Sequence, residues 1–393
     1  MVRLEPDARR VYSHLPVDAG FARRLTVGTL APAPKNPRVR MSTVLSYRSE
    51  KVSLQAITRA EYGAGLSRFR AFREAMGEAC DLMLPGSLDT FQAQSRALNL
   101  GNAVLSEMRS CSLNYYRTAS HIARCGYTHY QINLNLTGQS IFHSGRLSTV
   151  LRPGDVSILD TLRPVDTLVQ APGDGAACSL ALFIPRSMLA PLLPNADLGH
   201  CALISGQTLV GRLLHEEIVS LFKLAQSTST LMLEATVERI ARLVADGLTA
   251  RPGSGSALLA SIKRFLELHL DARDPLSIEA LCGRFACSRA TLYRMFEADG
   301  GLVNYIRHRR LQHALIELIS PGHRRRIIDI AIQSQFASEA TFNRAFRRLF
   351  GIPPGEARDL AQSSAAPVIS REHAQDEEHG PPTVRWIKRL GKR

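Results

Sequence analysis

The sequence predicts a multi-domain α+β protein: a strand-rich N-terminal barrel, then a helical element, then an all-α C-terminal domain with two helix-turn-helix motifs. Three observations predict it. Residues 91–184 fall into short alternating runs such as YQINLNLTG, cut by Thr137-Gly138, Ser144-Gly145 and Pro153-Gly154-Asp155. Apolar residues at three-to-four spacing follow at about 208–224 and 231–248. From Ala257 to about Leu360 everything reads helical, and one pattern occurs twice.

Composition bounds the possibilities. The chain has 393 residues and is 45% hydrophobic, enough for a sizeable core. It has no run of eighteen apolar residues, so no membrane-spanning helix is expected. The first residues lack an apolar h-region and do not read as a signal peptide. Seven scattered cysteines with no CxxC pair fit reduced thiols in the cytoplasm, not a disulfide framework or a zinc site. The net charge of +14 suggests a polyanionic partner, and its distribution is informative. Residues 1–40 hold 8 basic against 3 acidic residues, 41–257 hold 19 against 17, and 258–360 hold 16 against 11.

Residues 1–40, rich in Arg and Pro, are expected to be a disordered extension. Phe69, Phe72, Met76, Cys80 and Met83 predict an amphipathic helix over 66–83. The strand-rich domain takes 41–205 and the helical element 206–250. ARPGSGS makes 251–257 a linker, 258–360 is the all-α domain, and 361–393 is expected to be a disordered tail.

Within the all-α domain, LSIEALCGRFACSRATLYRMF places Ser277 and Ser288 as caps of two short helices. Ile278, Leu281, Phe285, Leu292 and Phe296 face inward, and Arg289, Tyr293 and Arg294 face outward. This is the pattern of a helix-turn-helix over 277–298, whose second helix enters a major groove. The pattern recurs over 327–350. Leu281 matches Ile330 at an offset of 49, and Leu292-x-Arg294-x-Phe296 matches Phe342-x-Arg344-x-Phe346 at an offset of 50. The extra residue falls in the turn. A helix over 303–319 spaces the two units.

These residues resemble the DNA-binding domain of the AraC/XylS family of bacterial regulators. The matching pieces are Leu292-x-Arg294-x-Phe296, Gly301, Ile306-x-x-x-Arg310-Leu311-x-x-Ala314, Ile327-x-Asp329-Ile330-Ala331, Phe336, Phe342-x-Arg344-x-Phe346-Arg347, Phe350-Gly351-Ile352-Pro353-Pro354 and Arg358. The resemblance implies that two recognition helices enter successive major grooves, about 34 Å apart, on one side of double-stranded DNA. Arg289, Tyr293 and Arg294 would read one groove, and Asn343, Arg344 and Glu339 the next. Arg310, Arg347 and Arg348 are the phosphate candidates, with a structural pairing as the alternative for Arg310. The family usually has Gly in each turn, whereas Ala286 and Gln335 stand there in this chain.

The strand-rich part resembles the cupin-like sensor domain of one branch of that family, through Tyr116-Arg117, Leu134-x-Leu136-x-Gly138, Leu151-x-Pro153-Gly154-Asp155, Asp160-Thr161-x-Arg163-Pro164 and Phe183-Ile184-Pro185-Arg186. This implies a cupin-like β-barrel that binds a small-molecule effector, with the following helices as the dimerisation element of a homodimer. Activation is more usual than repression in such a family, and an activator contacts RNA polymerase. Tyr115, Tyr116, His121, Tyr127, His129, Tyr130 and His143 are candidates for an effector pocket, with plain packing as the alternative. The competing classes are a regulator answering a protein partner or no ligand, and a cupin enzyme fused to a DNA-binding domain. His121, His129 and His143 lie too far apart for an HxH metal pair, and no Gly-x-Ser-x-Gly or P-loop occurs. No cofactor or metal is expected.

Overall fold

In the run from Gln131 to Leu136, amides alternate with aliphatics, and the strand period sends the two kinds to opposite faces of a sheet. The fold of the N-terminal part follows from that separation. The computed structural model describes residues 56–173, 175–193, 196–249, 257–272, 276–320, 325–363, 386–387 and 390. The expected extension 1–40 and the linker residues 251–256 lie outside them.

Chain order runs β1 (Ala56–Tyr62), α1 (Leu66–Met76), β2 (Asp81–Met83), β3 (Ala93–Asn99), β4 (Val104–Ser110), β5 (Leu113–Arg117) and α2 (Ala119–Cys125). It continues β6 (His129–Thr137), β7 (Gln139–Ser144), β8 (Leu147–Leu151), β9 (Val156–Asp160), β10 (Val165–Gln170), β11 (Ala177–Pro185), α3 (Arg186–Leu189) and β12 (Ala202–Ile204). A helical pair follows, α4 (Leu209–Leu224) and α5 (Thr230–Thr249). The C-terminal part holds α6 (Ala257–Leu268), α7 (Ile278–Phe285), α8 (Arg289–Phe296), α9 (Leu302–Ile319), α10 (Ile327–Gln333), α11 (Glu339–Phe350) and α12 (Pro354–Ser363).

The strands form two antiparallel sheets, ordered β1-β3-β4-β11-β6-β9-β12 and β2-β5-β10-β7-β8. The register of β6 on β11 pairs Ile132 with Leu182 and Leu134 with Leu180. These aliphatics are fully buried against Leu214, Ile218, Val237 and Ile240 of α4 and α5. The helical pair therefore covers the outer face of the larger sheet. The alternate pairs, Gln131 with Phe183 and Asn133 with Ala181, face the other sheet. Gly138 makes the β6–β7 turn with φ 72°, and a Cβ there would meet the Gln170 carbonyl at 2.5 Å, so only glycine fits.

Two groups of polar contacts at the turns pin this domain together. Arg186 pairs with the buried Asp160 carboxylate and donates to the Tyr130 hydroxyl at 3.0 Å. Burial alone would raise the Asp160 pKa, but the Arg186 guanidinium outweighs it and the carboxyl titrates below its usual range. Asp155 accepts from the Gly206 amide at 2.9 Å, tying the Pro153-Gly154-Asp155 turn to the start of the helical pair.

The expected helix over 66–83 is shorter. It ends at Met76, before Gly77, and Asp81–Met83 pairs as a strand with β5. Gly77 is a poor helix former, and Cys80 and Leu82, two residues apart, are both buried while Met83 is exposed. Strand period wins there over the helical spacing of Cys80 and Met83. The strands also begin earlier and end later than 91–184, with β1, β2 and β12, and α2 interrupts them.

The C-terminal part has two apolar clusters that share α9. Leu302, Tyr305 and Ile306 join Leu281, Leu292 and Phe296. Leu311, Leu315 and Leu318, further along α9, join Ile330, Phe342 and Phe346. One helix thus spaces both units, as its sequence period predicted. Arg309 lies between the clusters, buried, and forms a two-pronged pair with Glu267 of α6.

The boundary between N- and C-terminal parts is closely packed. Ile122 and Ala123 of α2 sit in the same apolar cluster as Phe342, Phe346 and Phe350. Lys263 of α6 pairs with Asp197, beside β12, and with Asp299 at 2.9 Å, its ammonium 4.8 Å from the Tyr305 ring. The tail also departs from the expected disorder at its described residues. Helix α12 carries the fold to Ser363. Ile387 and Leu390 are 4% and 6% exposed, packed with Val104, Cys125 and Tyr127. An apolar Trp-Ile pair in a polar tail was the signal for this docking.

Candidate DNA interface and cavity

The first helix-turn-helix unit is built from a serine cap, a left-handed turn and a second serine cap; the second unit shares the turn and the second cap, its first helix following Arg326 with no side-chain cap. Ser277 accepts from the Ala280 amide at 3.2 Å, and Ser288 from the Thr291 amide at 3.1 Å. Ser338 does the same for the Thr341 amide at 3.2 Å. Such caps satisfy amides that the first helical turn leaves unpaired. Ala286 and Gln335 take φ of 48° and 61°, in the left-handed region. The next amide in each unit reaches back five residues, Cys287 to the Cys282 carbonyl at 3.2 Å and Phe336 to Ala331 at 3.0 Å. Both turns thus keep the geometry that glycine would favour. Cys287 alone separates Ala286 from the Ser288 cap, whereas Phe336 and Ala337 separate Gln335 from Ser338. That is the extra residue implied by the two offsets.

The left-handed conformation costs a non-glycine residue about 1 kcal/mol. Ala286 is exposed, so its methyl group packs against little. Ala286→Gly should therefore raise stability by about 0.5–1 kcal/mol, read as a higher urea midpoint. A lower midpoint would mean the turn is unstrained. Gln335→Gly is a poorer test, because the Gln335 amide donates to the Asp271 carbonyl.

The outward faces carry most of the expected readers. Arg294 and Arg344 are both exposed, and neither has a carboxylate partner among the described residues. Arg344 makes a long contact of 3.5 Å to the Thr341 hydroxyl. Tyr293 is 50% exposed beside Arg294. Arg289 opens α8 and pairs with Glu279 at 2.6 Å on an exposed surface. Arg347 and Arg348 are exposed on the last turns of α11. Glu339 and Asn343 are half-buried. The Asn343 amide oxygen is buried without a partner, so this residue is turned inward more than a groove reader would be. Arg310 takes the structural alternative: its guanidinium donates to the Leu270 and Ala272 carbonyls, each at 2.7 Å, in the turn that follows α6.

Between the two sheets lies a cavity of about 230 Å³. Its walls are β6, β11 and β4 on one side and β5, β7 and β10 on the other, with α1 and Ile387 of the tail. Of the expected pocket residues, Tyr115 and Tyr127 line it. Burial pushes both phenols up from their ordinary value. His121 caps α2 through Thr118, His143 is exposed, and Tyr130 packs under α4 and α5. His129 donates from Nε2 to the Ile387 carbonyl at 2.6 Å. The sequence reading missed Gln131, Asn133 and Asn135, whose alternation with Ile132 and Leu134 was the available signal. Among the described residues no group of three or more His, Cys, Asp or Glu could hold a metal ion. No helix among them is long and apolar enough to cross a membrane.

Two units on one shared helix, each with a left-handed turn and a serine-capped second helix, joined to a two-sheet domain, define a helix-turn-helix regulator with a cupin-like N-terminal part. A profile described as a helix-turn-helix domain matches residues 281–359, and one described as an AraC-binding-like domain matches 72–249. The chain belongs to the AraC family of transcriptional regulators. It is 34% identical to the regulatory protein SoxS of Escherichia coli (strain K12) over 107 residues, which is 27% of this chain and 96% of SoxS. It is 35% identical over 96 residues to the uncharacterized HTH-type transcriptional regulator YbfP of Bacillus subtilis (strain 168). That match takes in 24% of this chain and 31% of YbfP, so the chain spans about a third of that relative. Among solved structures, the AraC-like transcriptional activator CuxR aligns over 66% of this chain and 95% of its own, with 23% identity and a TM-score of 0.46.

Proposed function

We propose that this chain is a cytoplasmic, effector-responsive transcription activator that binds double-stranded DNA as a homodimer and has no catalytic role. The observation that carries the reading is the matched pair Arg294 and Arg344. They are exposed at the same place in two units that one helix holds in fixed relation. A guanidinium with no carboxylate partner can pair bidentately with guanine in a major groove. Tyr293 and Arg289 extend the first reading face, and Arg347 and Arg348 supply phosphate contacts beside the second.

The cavity between the sheets takes the effector. Its occupant would act by favouring one of two arrangements of the protein, through a difference in affinity for them. Helix α2 is well placed to carry that preference, since it adjoins the cavity-lining Tyr127 and packs on α11. The outer side of the α4–α5 pair, with exposed Leu209 and Leu213 at one end and Leu231 and Met232 at the other, takes the second copy. As an activator the bound dimer would contact RNA polymerase.

A mobility-shift titration on a native upstream fragment tests this. Affinity should fall about a hundredfold between roughly 50 and 200 mM salt, as four or so phosphate contacts require. The same protein should sediment as a dimer without DNA. A flat salt response, or no shift at all, would remove the reading.

A further inference from the structure

We propose that the cavity between the two sheets selects a small organic monoanion, a carboxylate on an aromatic or short alkyl body, and that Arg117 holds its head. This rests on the cavity being the effector site and goes on to name the chemistry of the effector.

Among the described residues that line the cavity, Arg117 is the only Arg, Lys, Asp, Glu or His. Its partners are all neutral. Nε and Nη2 donate to the Thr161 carbonyl at 3.3 and 3.1 Å, Nη1 donates to the Ala79 carbonyl at 2.6 Å, and Nη2 also meets the Cys125 sulfur at 3.1 Å. Each Nη of a guanidinium carries two hydrogens, so one on Nη1 is left over from these contacts. Sulfur is a weak acceptor. An anion can therefore take the spare Nη1 hydrogen and replace the sulfur on Nη2, while both carbonyl bonds stay. Among the described residues nothing cancels the charge. Burial holds the Cys80 thiol up to about 12 and the Tyr127 phenol well above its ordinary value, against the pull of Arg117, so both stay protonated at pH 7. Asp81, whose carboxylate faces His121 at 3.7 Å, and Glu78 do not line the cavity. A charge drawn out of water without an opposite partner is costly, and a bound carboxylate supplies that partner. One guanidinium matches one negative charge. A cationic ligand would meet repulsion.

Neutral hydrogen-bonding groups line both sheets. Gln131, Asn133 and Asn135 project from alternate positions of β6, and the hydroxyls of Ser106, Ser179 and Thr167 stand on β4, β11 and β10. The body of the ligand can thus carry a hydroxyl or a carbonyl beside its apolar parts. Phe72, Tyr115 and Phe142 supply the rings it packs on. Strand register places the head relative to them. Arg117 stands opposite Val165, and Thr167, two residues on, stands between Tyr115 and Phe142. A molecule held at Arg117 therefore lays its body beside those rings. At about 230 Å³ the space is below the ~300–1,000 Å³ of drug-sized pockets, so the ligand is small.

Calorimetry on the full chain at pH 7 tests this with two bodies. The anions are 4-hydroxyphenylacetate and octanoate, the neutral forms are the matching amides, and tyramine is the cation. For each body that binds, the carboxylate should bind about tenfold more tightly than its amide, because hydrogen bonds between charged groups are the stronger ones. Tyramine should bind weakest. Arg117→Gln keeps donors near the Ala79 and Thr161 carbonyls but loses the charge, and should bring acid and amide to about equal affinity. Ala181→Leu keeps Arg117, extends a side chain from β11 into the cavity, and should weaken the carboxylate about tenfold. An amide or tyramine that binds as tightly as the acid of its body would overturn the anionic class while leaving the cavity as an effector site. A preference for the acid that survives in Arg117→Gln would overturn the role of Arg117. Carboxylate binding that Ala181→Leu leaves unchanged would place the probe elsewhere and overturn the assignment. No binding by any probe would overturn both the class and the effector reading beneath it.

Discussion

Replacing Arg294 and Arg344 together by Ala is expected to weaken specific DNA binding by about 2–6 kcal/mol, with each contributing about 1–3 kcal/mol. The losses should add, because the two side chains sit on different units with separate apolar clusters. The fold should be unaffected, since both guanidinium groups are exposed and neither closes an ion pair among the described residues. The informative measurement is a titration against a specific fragment and a scrambled fragment at one salt concentration. Base readers lose affinity for the specific fragment far more than for the scrambled one. Phosphate contacts lose both alike and lower the salt slope by about one for each contact removed. Equal losses on the two fragments would turn both residues into phosphate contacts. No loss on either would remove the two-groove arrangement. Arg310→Ala serves as a contrast. Its bonds to Leu270 and Ala272 predict a stability defect that accompanies any change in binding.

The paired units were legible in the sequence because their determinants are local. Ser277, Ser288 and Ser338 announce helix starts, and Leu281, Leu292 and Phe296 recur as Ile330, Phe342 and Phe346 within a few turns. Even the one-residue difference between the turns could be read from two offsets. What was not legible depends on distant parts of the chain. Arg309 and Arg310 are neighbours of the same type, and nothing local distinguishes them. Glu267, 42 residues away, buries one, and carbonyls in the turn after α6 hold the other. The amides of β6 look like a solvent-facing stripe until the second sheet covers them. Asn343 sits where an adenine reader was expected, but its burial is set by tertiary packing, which helical position alone does not determine. The short helix α2 and the Trp386-Ile387 pair likewise gain their places from partners far along the chain.

Lowering the pH from 7 to 5 is expected to cost the folded state about 2 kcal/mol through one residue, His200. This histidine is 3% exposed, and its Nδ1 accepts from the Asp160 backbone amide at 3.2 Å. Burial, reinforced by the nearby Arg163 guanidinium, lowers its pKa to about 3, although Asp160, Asp197 and the Pro164 carbonyl oppose the shift. The direction of the effect follows from proton uptake. Below the ordinary histidine value of about 6.5 the unfolded chain binds a proton that the folded chain refuses, so stability falls from there down to about pH 3. Glu267 adds a second, lower window. Burial would raise its pKa, but hydrogen bonds from His313 and Arg309 bring it to about 2. Its stabilisation, about 3 kcal/mol, is present above the ordinary glutamate value and lost as pH falls from there towards 2. Urea denaturation at pH 7, 6 and 5 separates the two, because only histidines titrate across that range. His200→Asn keeps an acceptor near Nδ1 and cannot take a proton, so it should remove most of the slope. A smaller slope should remain from His121 and His308, both of whose pKa values are lowered chiefly by burial. An unchanged slope in His200→Asn would show that the acid sensitivity arises elsewhere. His200 lies beside Asp197, the partner of Lys263 at the junction of the two parts. Acid should therefore first loosen the contact between the cavity domain and the helix-turn-helix pair, before either apolar cluster gives way.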